Sequence, residues 1–327
     1  MSRIYEALQK AESERGPEKR GKKDEKSDPQ PLRADHPVQA EAVAPTAVIE
    51  QEYELPAISA HASAARVPSV SAAPTSTSNG LDLNGIPRRP WSPAFDQLPA
   101  LLQRGPGVEQ FRSLRSRIFE LRDASPLKSI LISSGMPQEG KSFVSSNLAL
   151  SLARHKNSKV LLIDGDMRRY TMHQILGCES QPGLADYLAG KANMIEIMQR
   201  AEPLPEAFDS KQPVLPNLTF IAGGNGGDRA ADLSGSPRFG ELLDRVAPYF
   251  DWIIVDSSPV LPVSDAVNLA RYCDGVLLVA RSGVTKYPIA QRAQSELKAA
   301  KVLGFVLNAV QEVPQIGSYY GYDANIE

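Results

Sequence analysis

Runs of apolar residues alternate with amphipathic stretches over the last two thirds of the chain. In the amphipathic stretches apolar residues recur at helical spacing, as at Val144, Leu148 and Leu152. Alternation of strands and helices is typical of an α/β domain in which a mostly parallel sheet carries helices on both faces. The apolar runs, which are typical of strands buried on both faces, cover residues 129–133, 159–163, 218–222, 252–255, 275–280 and 304–307.

A further helix is predicted ahead of the first of these strands. Order is expected to begin near Gly107, and residues 107–312 are predicted to form one domain of about 200 residues. The apolar stripe of this helix, which covers residues 108–122, consists of Phe111, Leu114, Ile118 and Leu121.

The first hundred residues show a different pattern. Residues 1–13 favour a short amphipathic helix, which alone would be marginal in water. It is therefore either a frayed end or a docking peptide on a tether. Residues 14–106 are rich in Pro, Ala, Ser and charged residues, and they cannot bury enough apolar area to offset the entropy of ordering them. We predict a disordered linker there.

Composition excludes several classes of function. The formal net charge of −2 creates no field that would attract nucleic acid. No apolar run approaches the roughly 20 residues that a membrane-spanning helix needs, so neither a membrane span nor a secretory signal is expected. Cys178 and Cys273 lie far apart and the chain has only 4 His, so neither a disulfide framework nor a His/Cys metal site is expected. A cytoplasmic protein is predicted.

The strongest local motif lies between the strand at 129–133 and the helix that follows it. Its eight residues, from Gly135 to Ser142, match G-x-x-x-x-G-K-[ST], the phosphate-binding loop. Lys141 is expected to reach the β- and γ-phosphates, and the Ser142 hydroxyl to bind Mg²⁺. The residues predicted to contact the nucleotide are Gly135, Met136, Pro137, Gln138, Glu139, Gly140, Lys141, Ser142, Phe143 and Asn308.

Three carboxylates follow buried strands. Asp164 and Asp166 end the run that begins at residue 159, and Asp256 ends the run that begins at residue 252. Each alone could be an ordinary turn or helix-capping residue. Because ligands bind outside the carboxyl ends of parallel strands, these three side chains are expected to meet the phosphate loop. Together they suit a hard cation and a general base.

The sequence indicates less directly which nucleotide base, adenine or guanine, the site binds. The N-K-x-D pattern that reads guanine in GTPases is absent from the sequence, so ATP is expected. Asn308, at the end of the last apolar run, is the residue expected to face the base.

Together these motifs resemble the bacterial tyrosine kinases of the CpsD/CapB type, within the MinD/ParA-type P-loop ATPases. The family serves capsule and exopolysaccharide synthesis. The likeness covers residues 107–312 and includes four other stretches. Residues 109–115 resemble E-x-x-R-x-x-R, 183–190 resemble G-L-x-D-x-L-x-G, 236–243 resemble S-P-R-F-x-x-L-L, and 304–308 resemble G-x-V-L-N.

The resemblance implies a protein-tyrosine autokinase that uses ATP and Mg²⁺. Lys141 and Ser142 would hold phosphates and metal, and Asp164 would orient or deprotonate the attacking tyrosine. Asp166 and Asp256 would support the metal, directly or through water.

The resemblance also implies partners. Glu109, Arg112 and Arg115 would contact a neighbouring subunit of a homo-oligomer. A separate membrane-bound polysaccharide co-polymerase would activate the kinase and hold it at the inner membrane, and a tyrosine phosphatase would oppose it. The acceptors, phosphorylated in trans, would be tyrosines of a flexible tail at residues 313–327, namely Tyr319, Tyr320 and Tyr322.

The sequence departs from the family pattern in three places. The family usually has Pro-Pro two residues after the acidic residue that corresponds to Asp256, whereas here Ser257, Ser258 and Pro259 follow it. Tyr170 stands where the family usually has a Pro, and the tail has few tyrosines. Two alternatives therefore stay open: an ATPase of the ParA/MinD type with water as acceptor, and a nucleotide-dependent interaction protein. Residues 136–139 lack the lysine that the ParA/MinD group usually has there, which favours the kinase.

Overall fold

A computed structural model gives the fold of the chain, and it describes residues 83–155, 158–202 and 217–310. The predicted opening helix at residues 1–13, most of the predicted linker and the tail at 313–327 lie outside these residues. So do Tyr319, Tyr320 and Tyr322, whose role as acceptors stays a prediction.

The described residues form an eight-stranded sheet in the order β1-β4-β5-β3-β6-β2-β7-β8. Every neighbouring pair is parallel except β4 and β5, which are antiparallel. The strands are β1 (Arg88–Arg89), β2 (Ser129–Ser134), β3 (Val160–Asp164), β4 (Met198–Ala201), β5 (Leu218–Ile221), β6 (Trp252–Asp256), β7 (Gly275–Arg281) and β8 (Val302–Asn308).

Helices connect the strands. Within the described residues they are α1 (Pro106–Ala124), α2 (Lys141–Ala153), α3 (Met172–Leu176), α4 (Leu184–Leu188), α5 (Ala230–Ser234), α6 (Arg238–Val246), α7 (Asp265–Ala270) and α8 (Tyr287–Glu296). Short 3₁₀ turns cover Leu83–Gly85, Phe95–Gln97, Pro99–Leu101, Gly227–Arg229 and Ala247–Tyr249. None of the helices in these segments is long and apolar enough to cross a membrane.

The mostly parallel α/β architecture predicted from the sequence is confirmed. A separate hydrophobic cluster covers each face of the sheet: Phe220 and Trp252 belong to the one that includes α1 and α2, and Leu242 and Leu269 to the one that includes α6 and α7. Two strands were not predicted, β1 and β4. Both are short and carry polar residues, so they show neither an apolar run nor a period of two.

The domain boundary predicted near Gly107 is too late. Leu98, Ala100 and Leu101 are buried in the cluster beneath α1 and α2. The Asn147 side chain accepts a hydrogen bond from the Ala100 N–H at 3.0 Å and donates one to the Gln97 carbonyl at 2.9 Å. The prediction of disorder is therefore wrong for residues 84–106. Their few apolar side chains find a surface already formed by distant parts of the chain, which composition alone cannot show.

Candidate nucleotide-binding and phosphoryl-transfer site

The predicted site residues meet at one edge of the sheet. Strands β3, β6 and β2 are adjacent and parallel, so their carboxyl ends lie side by side. Asp164 and Asp256 are direct partners in the register of β3 and β6. The phosphate loop follows β2 and leads into α2. The strand order thus brings the loop and the carboxylates together.

The backbone of the phosphate loop turns through left-handed conformations at Gln138 (φ 65°) and Gly140 (φ 95°). A Cβ at Gly140 would also collide with the Asn308 side chain, so both conformation and space require glycine there. The Ser134 hydroxyl donates to the Met136 carbonyl at 2.7 Å and fixes the start of the loop. The loop is therefore a shaped structural element, consistent with its predicted role.

Glu139 holds the loop from within. Its side chain is buried, and its carboxylate accepts hydrogen bonds from the Met136 N–H, at 2.8 Å, and from the Thr285 hydroxyl. The Asn308 amide donates to the Glu139 carbonyl at 3.0 Å, which places Asn308 against the loop. A contact between Asn308 and the base stays a prediction. From the sequence alone, an acidic residue in a loop is expected to be exposed to solvent. The contact between Glu139 and Thr285 could therefore not be predicted.

Lys141 lies among the carboxylates. Its Nζ atom is 2.9 Å from Asp166 Oδ2 and 3.9 Å from Asp256 Oδ2, and the side chain is only 14% exposed. Burial lowers the pKa of Lys141, but the nearby carboxylates of Asp256, Asp166 and Asp164 outweigh it and raise that pKa. The ammonium therefore stays charged across the physiological range.

Asp256 accepts hydrogen bonds from two hydroxyls of α2. Ser142 Oγ donates at 2.6 Å and Ser145 Oγ at 2.9 Å. Complete burial raises the pKa of Asp256, against the opposing effects of Lys141 and the two hydroxyls. Ser145 was not predicted, although its position three residues after Ser142 places both on one face of the helix.

Asp164 is a buried carboxylate whose pKa is shifted by its surroundings. Its carboxylate is buried and accepts backbone N–H bonds from Asp166 at 3.1 Å and Met172 at 3.2 Å. Burial, followed by the nearby carboxylates of Asp256 and Asp166, raises the pKa of Asp164 well above its ordinary value. A carboxylate with a raised pKa binds a proton more readily, which suits the predicted role as general base.

The donor set suits Mg²⁺ together with phosphates. Ser142, Asp166 and Asp256 surround the Lys141 ammonium. In the described segments no group of three or more His, Cys, Asp or Glu side chains is arranged to hold a metal by itself. Mg²⁺ commonly takes one or two carboxylates and completes its shell with substrate phosphates and water. The predicted phosphate loop beside these residues fits that arrangement.

Two of the departures from the family pattern lie at this site. Ser257 Oγ donates to the Ile132 carbonyl at 3.0 Å, whereas Ser258 Oγ is buried without a hydrogen-bond partner among the described residues. Tyr170 packs close to Gly223 beside Asp164, where a Cβ on Gly223 would lie 2.6 Å from Tyr170 Cβ.

Phe143, one of the predicted nucleotide contacts, has a side chain that packs within the protein. Its side chain is partly buried against the hydrophobic cluster, and its ring centroid lies 5.7 Å from that of Phe111. The ring thus packs between α1 and α2. A contact between Phe143 and the nucleotide stays a prediction.

The three α1 residues that are predicted to contact a neighbouring subunit are not equivalent. Glu109 and Arg112 are exposed and form an ion pair at 2.5 Å. Arg115 is partly buried and donates to the Ser151 carbonyl of α2 at 2.8 Å. Glu109 and Arg112 are therefore accessible to a neighbouring subunit. Arg115 instead connects α1 to α2 within its own chain. The subunit contact itself stays a prediction.

Arg115→Ala is expected to lower the free energy of unfolding by roughly 1 to 2 kcal/mol, because the bond to α2 and packing of the side chain are lost. Arg112→Ala, the matched control on the exposed face, is expected to change it by less than about 1 kcal/mol. Urea unfolding of both variants measures the difference. Equal stabilities would contradict the structural role of Arg115.

Comparisons with known proteins agree with this geometry. No protein-family model matches the chain. It is 32% identical over 206 residues to the tyrosine-protein kinase ptk of Acinetobacter johnsonii. The aligned region covers 62% of this chain but only 26% of that protein. It is 32% identical over 216 residues to the tyrosine-protein kinase YwqD of Bacillus subtilis, covering 65% of this chain and 85% of YwqD.

The fold is also similar to that of a solved structure, the chimerical protein CapA2B2. The TM-score is 0.59 with 28% sequence identity, over 70% of this chain and 96% of that one. This chain spans about a quarter of the length of the ptk relative but most of YwqD. The agreement of motifs, fold and sequence leads to one conclusion: the chain belongs to the family of bacterial tyrosine-protein kinases.

Proposed function

We propose that this chain is an ATP-dependent protein-tyrosine autokinase that phosphorylates its own tail in trans. The observation that carries the proposal is the position of Lys141. Its charged ammonium lies 2.9 Å from Asp166 and next to Asp256 and Asp164, at the end of a phosphate loop. This arrangement offers positive charge for a transferring phosphoryl group and a carboxylate for a hydroxyl proton.

In the proposed reaction the phenolic oxygen of tyrosine attacks the γ-phosphorus of ATP. A new P–O bond forms, the bond between the γ-phosphorus and the β,γ-bridging oxygen breaks, and ADP leaves. Asp164 takes the phenolic proton, which a hydroxyl of pKa near 10 does not release unaided at neutral pH. Lys141 stabilises the charge on the γ-phosphate oxygens. Mg²⁺, bound by Ser142 and Asp256 with support from Asp166, would neutralise charge on the β- and γ-phosphates.

We further propose, from the family resemblance, that the kinase acts as a homo-oligomer in exopolysaccharide or capsule synthesis. A separate membrane-bound polysaccharide co-polymerase would activate it and recruit it to the membrane, and a tyrosine phosphatase would reverse the reaction. The ion pair of Glu109 and Arg112 supports the oligomer, because it presents both charges on an exposed helix face.

Mapping of phosphate on the full-length chain after incubation with Mg²⁺ and ATP tests the proposal. Phosphate is expected on Tyr319, Tyr320 and Tyr322. Replacing all three with Phe should remove most incorporated phosphate and leave ATP binding unchanged, because none of the three is among the predicted nucleotide contacts. Tyr272→Phe, a partly exposed tyrosine within the domain, is the control and should behave as wild type.

Phosphate found elsewhere and on none of the three tail tyrosines would contradict the autokinase. Release of inorganic phosphate without any protein phosphorylation would favour the ATPase alternative, since water would then be the acceptor.

A further inference from the structure

A cavity of about 410 Å³ lies where α4 ends and α6 begins. Its walls include Tyr187 and Gly190 from residues 183–190, and Arg238 from residues 236–243. Both stretches resemble family patterns, yet no residue of the nucleotide site is among those that line the cavity. The fold therefore brings together two motifs to which the proposed function assigns no role.

Arg238 is held in this cavity by an aromatic ring. Its guanidinium carbon lies 4.8 Å from the centroid of the Tyr187 ring. Within the described residues no acceptor receives a hydrogen bond from this guanidinium, and its Nε atom is buried without a partner. A cation–π contact positions the group while leaving the N–H donors along its edge unused. Arg238 is thus oriented by its packing and has no anionic partner among the described residues.

The charges around Arg238 favour an anion. Lys191 and Arg245 also line the cavity, so that three cations face two carboxylates, those of Glu196 and Glu241. Glu196 already accepts a hydrogen bond from the Asn193 N–H at 2.8 Å. Among the ion pairs of the described segments, none joins any of these cations to either carboxylate. The cavity therefore carries excess, unpaired positive charge.

We propose that this cavity binds a phosphate group, supplied either as a phosphate monoester or as inorganic phosphate. A planar guanidinium presents parallel N–H donors that match two phosphate oxygens, and a dianion complements the surplus of cations. A volume of about 410 Å³ is in the range of small-molecule sites, so it has room for the organic part of an ester. The binding requires neither nucleotide nor phosphoryl transfer, and the proposal stands or falls independently of the kinase activity.

The test is a titration of the ¹⁵N-labelled full-length chain, observed through arginine Nε–Hε resonances by NMR. Arg238 is identified by the resonance that Arg238→Gln removes. Inorganic phosphate and phenyl phosphate are added in separate series through the millimolar range. A saturable shift of the Arg238 resonance is expected, and this local signal separates the cavity from the phosphate loop. Tighter binding of phenyl phosphate would identify a monoester, and equal affinities would identify inorganic phosphate.

Variants measured by calorimetry, with the phosphate loop filled by Mg²⁺ and ADP, complete the test. Arg238→Gln is expected to weaken phosphate binding at least about tenfold, and Arg238→Lys less, because a charge remains but the paired donors are lost. Arg245→Gln, on an exposed side chain, should weaken binding about threefold without disturbing the Tyr187 contact. Arg229→Gln, an exposed arginine outside the cavity, is the control. Absence of a saturable Arg238 shift, or wild-type affinity in both Arg238→Gln and Arg245→Gln, would overturn the proposal.

Discussion

Lys141→Met is expected to reduce phosphoryl transfer by at least about two to three orders of magnitude. The ammonium lies within 4 Å of both Asp166 and Asp256, and in the reaction it would stabilise charge on the transferring group. The substitution also leaves buried carboxylates without their cation, so the free energy of unfolding should fall although the fold persists. Incorporation of labelled phosphate and urea unfolding measure the two effects.

Lys298→Met serves as the matched control, because Lys298 is exposed on the segment after α8. It should keep wild-type transfer and stability. If Lys141→Met transferred phosphate at the wild-type rate, the assignment of the phosphate site would be wrong.

Asp164→Asn is expected to lower transfer by about two to four orders of magnitude, since the group proposed to accept the tyrosine proton is lost. It should also change how stability depends on pH. The folded-state pKa of Asp164 is raised, mainly by burial, above the ordinary value of about 3.9 in the unfolded chain. The folded state therefore holds its proton to higher pH, and the free energy of unfolding of the wild type should decrease as pH rises from about 4 through the raised pKa.

Asparagine does not titrate. The free energy of unfolding of the variant should therefore decrease less steeply with pH than that of the wild type, by up to about 1.4 kcal/mol per pH unit. The variant also loses some stability at every pH, because Asn cannot accept hydrogen bonds from both the Asp166 and Met172 N–H groups. The test is therefore the dependence of the free energy of unfolding on pH, and not its value at one pH. Urea unfolding over a pH series without nucleotide or divalent cation gives the slope. Asp123→Asn, on the exposed face of α1, should keep the wild-type slope. An unchanged slope in Asp164→Asn would refute the raised pKa.

Both expectations depend on residues that the sequence already marked. The phosphate loop is a continuous motif, and Asp164, Asp166 and Asp256 each follow an apolar run, so local patterns were sufficient to find them. The α/β class and the six strands other than β1 and β4 were predicted for the same reason. Parallel strands place their carboxyl ends at one edge, which is why separate motifs could be assigned to one site.

The tertiary structure decided how these parts meet. The order β3-β6-β2 sets Asp164 opposite Asp256, and only that packing buries them deeply enough to raise their pKa values. Bracing of the loop by Glu139 and Thr285 joins residues 146 positions apart. Residues 84–106 and the cavity at Arg238 likewise depend on contacts between distant segments. Neither a period nor a motif shows which distant segments will meet, because the energy of such contacts comes from surfaces that exist only after the rest of the protein has folded.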